Sequence, residues 1–145
     1  MELTVQHMDG MRFLATADGH TIVLDALPQD GGGGTAMSAP QLWVAALGVC
    51  MLEFALNSCH LHEVPVERCT LEMTFEEIPG PRRVGPVKAT LHLEPEPPAD
   101  MKRRLIGVAR HSTLVNTLAQ PPDVDIAFVG EGKADAGCTP DGGDP

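Results

Sequence analysis

The chain has 145 residues, 43% hydrophobic but only 3% aromatic, with one Trp and no Tyr. That suits a single domain whose core is built from Leu, Val, Ala and Met. A formal net charge of −10 and a pI near 4.8 repel phosphate backbones and anionic lipid, which argues against nucleic-acid and membrane partners. Four cysteines and no basic, apolar leader after Met1 and Glu2 point to free thiols in a cytoplasmic chain rather than a secreted disulfide framework.

The first 26 residues predict a three-strand meander. Leu3, Val5 and His7 alternate with Thr4, Gln6 and Met8, and Asp9-Gly10 is a pair that accepts positive φ in a tight turn. A second strand is expected over 11–16, a second turn at Asp18-Gly19, and a third strand over 20–25. Residues 28–36 hold four consecutive glycines and are expected to form a flexible loop.

Ser38-Ala39-Pro40-Gln41 has the spacing of a capping box, in which the Ser hydroxyl and the residue three on satisfy orphan helix donors reciprocally. A helix should run from there to about His60. Its apolar residues occupy every face, so cover is needed on all sides, and a second subunit is a natural supplier. The apolar run 42–56, broken only by Glu53, is about five residues shorter than the roughly 20 that span a bilayer.

Residues 66–76 carry the clearest strand pattern, with Cys69, Leu71, Met73 and Phe75 on one face and Thr70, Glu72, Thr74 and Glu76 on the other. Pro79-Gly80-Pro81 makes the turn, and Val87, Ala89, Leu91 and Leu93 line the core face of the next strand. A helix begins at Asp100 with Met101, Leu105, Ile106 and Ala109 on one side, and a short one follows over 112–118. Val124, Ile126 and Phe128 predict a last strand. Domain and core therefore end near residue 129, and 130–145 are expected to be a disordered tail. The order is βββ, long helix, ββ, helix pair, β: strands and helices are segregated, as in an α+β fold.

This order resembles the OsmC/Ohr (osmotically inducible / organic hydroperoxide resistance) family. So do Gly10-Met11-Arg12-Phe13, the strand from Gly19 through Asp25, the helix start Ser38-Ala39-Pro40-Gln41-Leu42, Ala45-Ala46-Leu47-Gly48-Val49-Cys50, Arg83-Val84-Gly85-Pro86-Val87, and the stretch from His111 through Leu118. The resemblance implies an intertwined homodimer with two central helices back to back and sheets wrapped outside. It also implies a chemistry that runs on thiols without a bound cofactor. The helix cysteine attacks an organic hydroperoxide, a second cysteine resolves the sulfenic acid, and an Arg and a Glu activate the first thiol.

Cys50 stands at the attacking position, about three turns into the helix, too far from the cap for the helix dipole to activate it much. Arg12 lies in the region that supplies the activating Arg, although an isolated strand arginine is more often a solvated edge charge. Gln41 falls where active members place Glu, and Ser112 falls where they place the second cysteine, so the two-cysteine cycle is absent. Cys59 is nine residues on, roughly 13 Å along the same helix. Cys69 is a core thiol by its strand face, and Cys138 on the tail could visit the site. An external thiol reductant is the simpler partner.

Cys59-His60-Leu61-His62 holds zinc-type ligands, but no second clustered pair completes a tetrahedron, and no metal site is expected. Two functions remain: one-cysteine reduction of an organic hydroperoxide through Cys50, or a dimeric small-ligand-binding protein that has lost the redox cycle.

Overall fold

The computed structural model describes residues 1–129; the expected tail, with Cys138, lies outside the described residues. Three antiparallel strands, β1 (Leu3–His7), β2 (Arg12–Ala17) and β3 (His20–Asp25), form the meander. Asp18 and Gly19 both take positive φ at its second turn, 48° and 80°, where Asp tolerates and Gly favours the left-handed region. Pairing sets Val5 opposite Ala15 and Ala15 opposite Ile22, so one face is an apolar stripe. Among the described residues, no meander strand packs closely on a helix or on the second sheet. Leu3 and Val5 consequently remain 66% and 58% exposed.

Helix α1 (Ala39–Leu61) opens on the expected capping box: Ser38 N donates to Gln41 Oε1 at 2.8 Å, and Gln41 N donates to Ser38 Oγ at 3.4 Å. At 23 residues it is long and apolar enough, by length and composition alone, to cross a bilayer. Its position is that of a core helix, packed on strands β4 (Arg68–Pro79) and β5 (Arg82–Glu94) and helices α2 (Ala99–Ala109) and α3 (Thr113–Ala119). Gly48 permits the close approach of the hairpin, because a Cβ there would lie 2.4 Å from Met73 Sδ. Ala55, Cys59 and Leu105 form the buried centre, with Val64, Leu91, Leu93 and Met101 against it.

Strands β4 and β5 pair as a long antiparallel hairpin with one irregularity between Phe75 and Glu77, and its apolar residues fall on the alternating face as expected. Two expectations need correction. Residues 28–36 fold around a carboxylate instead of forming a flexible loop. Residues 121–129 are not a strand: Val124, Ile126 and Phe128 lie 79%, 85% and 86% exposed with no neighbouring strand among the described residues. The period-two pattern is present, but a strand needs an edge to pair with, and the described residues bring none to it.

Candidate functional site

Cover on α1 is one-sided. At 100° per residue, buried Val44, Leu47, Gly48, Ala55 and Cys59 gather on one half of its circumference. Trp43, Ala46, Val49, Glu53 and Leu56 gather on the other half and are exposed, Val49 by 58%. Cys50 sits at the rim of that open face and is half-buried. No hydrogen bond reaches its sulfur among the described residues.

No hydrogen bond joins Arg12 to Cys50 among the described residues. Arg12 stands at the start of β2, where Asp9 in the preceding turn takes its guanidinium by two bonds, Nε to Oδ1 at 2.7 Å and Nη2 to Oδ2 at 2.5 Å. The pair holds the Asp9 carboxyl below its ordinary range and raises Arg12. Gln41 is likewise occupied, its amide oxygen committed to the cap of α1.

Ser112 holds the N-cap position of α3, but its side chain makes no cap bond. Its hydroxyl is fully enclosed and has no hydrogen-bond partner among the described residues. The remaining described thiols are poor nucleophiles. Burial pushes the Cys59 thiol up, and burial followed by the neighbouring Cys59 pushes Cys69 up. His62, in the expected Cys-His cluster, accepts a bond from the Arg104 guanidinium.

Sequence reasoning missed the polar scaffold between strand β3 and α1. Asp25, only 2% exposed, accepts from Thr35 N at 2.9 Å, Thr35 Oγ1 at 2.8 Å and Gly33 N at 3.2 Å. These bonds, the Thr35 backbone bond foremost, hold its carboxyl below the ordinary range. Gly32 is required here, since a Cβ would fall 1.9 Å from the Ala26 carbonyl oxygen. A carboxylate ending a strand just before a glycine run was the available signal: unhindered amides are natural donors to it. Arg82 then ties the loop to the hairpin, with a two-bond contact to Asp30 at 2.7 and 2.8 Å and bonds to Glu77 at 2.9 and 3.1 Å.

A groove of about 870 Å³ runs between α1, β5 and α2. Met51, Leu52 and Ala55 of α1 line it, but Cys50 does not. The thiol and this groove are on different sides of the helix.

The architecture is thus α+β, with a meander, a central helix that carries Cys50 near its middle, and a hairpin backed by two helices. The chain belongs to the family of OsmC-like proteins, whose model matches residues 31–127. Solved structures share the fold. A candidate osmotic-stress-induced and detoxification-response protein from Psychrobacter arcticus is 22% identical with a TM-score of 0.76, over 79% of this chain and 85% of that one. An organic hydroperoxide resistance protein from Legionella pneumophila is 16% identical, TM-score 0.65, over 81% and 87%. An organic hydroperoxide resistance protein of Bacillus subtilis is 12% identical, TM-score 0.60, over 83% and 90%. No curated protein sequence gives a significant match.

Proposed function

We propose that the protein is a cytoplasmic, homodimeric oxidative-stress protein that reduces organic hydroperoxides through Cys50 in a one-cysteine cycle. The observation that carries this is the half-buried Cys50 at the rim of the open apolar face of α1. An apolar peroxide can approach a sulfur there, while Cys59 and Cys69 are suppressed by burial. Family membership and two fold neighbours named for organic hydroperoxide resistance support the same chemistry.

In the proposed cycle the Cys50 thiolate attacks one peroxide oxygen and the O–O bond breaks. The alcohol leaves after taking a proton, and Cys50 becomes a sulfenic acid. An external thiol attacks that sulfur, releasing water and forming a mixed disulfide. A second external thiol then frees Cys50 and departs as the oxidised disulfide. Arg12 is the candidate activating cation, and it must exchange its Asp9 contact to serve.

Dimerisation is supported by surface: Leu3 and Val5 of β1, Ile22 of β3, and Trp43, Val49 and Leu56 of α1 are exposed apolar side chains that a second copy would cover.

The second function, a dimeric binding protein without redox turnover, is favoured by Arg12 and Gln41 both being engaged elsewhere. Intact mass after one equivalent of cumene hydroperoxide separates the two. Under the enzyme proposal the protein gains one oxygen, or one thiol adduct when a small thiol is present, and Cys50→Ser abolishes both. A Cys50 that stays reduced in the folded protein leaves the binding function.

A further inference from the structure

Helix α1 carries a charge on its open, largely apolar face. Among its 23 residues Glu53 is the only carboxylate, and no Lys or Arg occurs. Glu53 is exposed on the same half as Val49 and stands three residues after Cys50. It takes part in no salt bridge among the described residues.

Helix geometry makes Cys50 and Glu53 neighbours. Residues three apart on a helix have about 5–6 Å between their Cβ atoms. Helical side chains lean towards the N-terminus, so Glu53 reaches back over the turn that holds Cys50. The other flank of Cys50 is aromatic. Phe54 stands four residues on and Trp43 seven before, and the 100° step per residue places both on that side.

We propose that Glu53 sets the substrate class of Cys50, admitting uncharged alkyl and aryl hydroperoxides and repelling those that carry a carboxylate near the peroxide. The proposal rests on the peroxidase function of the preceding section and names which peroxides it takes. Specificity is a difference between two partners, and this rim supplies both sides of it. Apolar side chains favour an apolar body, and one negative charge disfavours an anion. The net charge of −10 acts in the same direction at longer range. A second copy laid over this face would exclude water and strengthen the repulsion, because a charge acts more strongly in a lower dielectric.

A matched pair of peroxides tests this: cumene hydroperoxide, and the same molecule with a carboxylate on the para position of its ring. Oxidation of Cys50 in the full-length protein is followed by intact mass against time at low ionic strength. The ratio of the two rates is then compared between wild type, Glu53→Gln and Glu53→Lys. Two like charges about 8 Å apart give roughly a 2- to 30-fold difference between bulk water and the dielectric of a protein edge. The wild type should therefore favour the neutral peroxide by about threefold or more, Glu53→Gln should bring the ratio towards one, and Glu53→Lys should lower it further. Salt at about 0.5 M should shrink the wild-type preference, a measurement that needs no variant.

Any influence of Glu53 on the sulfur itself is common to both peroxides and cancels in the ratio. Partial misfolding of a variant cancels too, since both rates are read on one sample. A ratio that Glu53→Gln leaves unchanged, or a wild type that takes the anionic peroxide as fast as the neutral one, overturns the selectivity and leaves the peroxidase standing. A Cys50 that neither peroxide oxidises overturns the peroxidase function, and the selectivity falls with it.

Discussion

The two halves of this molecule are held together by different physics. The half made of α1, β4, β5 and α2 buries its own apolar side chains, with Ala55, Cys59 and Leu105 at 1% exposure. The meander pairs its strands fully, yet Leu3, Val5 and Ile22 stay open to solvent. It is joined to the rest by polar devices: the bonds to Asp25, the Asp25 N to Met37 O bond, and the Arg82–Asp30 pair. Backbone pairing therefore sets the shape of an element without stabilising its place. Burial must supply that, and among the described residues little of it reaches the outer strands of the meander.

The largest expected effect breaks the self-sufficient half. Leu105→Ala empties a fully enclosed site and should cost about 2–5 kcal/mol in urea denaturation, regardless of protein concentration if that half supplies its own core. Gly32→Ala strikes the polar junction instead. Its Cβ meets backbone rather than a flexible side chain, so a loss towards the top of about 1–3 kcal/mol is expected, read from the thermal midpoint.

Asp25→Asn sharpens the contrast by pH. Because the folded carboxyl lies below its ordinary value, it stabilises the fold above about pH 3.9. That contribution is lost as pH falls through the lower folded value. The wild type should thus show a steeper acid limb than Asp25→Asn below about pH 4, with the variant already less stable near neutral pH. Parallel limbs would mean that Asp25 does not anchor the junction. The smallest effect should appear at a polar flaw inside the apolar half. Ser112→Ala removes an enclosed hydroxyl that lacks a partner and should raise stability by about 1 kcal/mol, measured by the urea midpoint.

Much of the architecture was legible in the chain. Strand β3, the capping box of α1 and the alternating face of β4 follow from local rules, since turn chemistry, cap spacing and period-two burial act over a few residues. The apolar circumference of α1 was legible too, but which half its own chain covers was not: Gly48 against Met73 is a contact between residues far apart in sequence.

The candidate site was legible in identity and not in geometry. Cys50, Gln41 and Ser112 could be picked from their positions in the sequence. The cap that occupies Gln41 was already legible in its spacing from Ser38, but only the tertiary structure revealed that Ser112 is enclosed without a partner among the described residues and that Arg12 answers to Asp9. The same limit explains residues 123–129. Their alternating pattern determines what they can become, but a strand is completed by a partner edge, and the fold of one chain decides whether that edge is within reach.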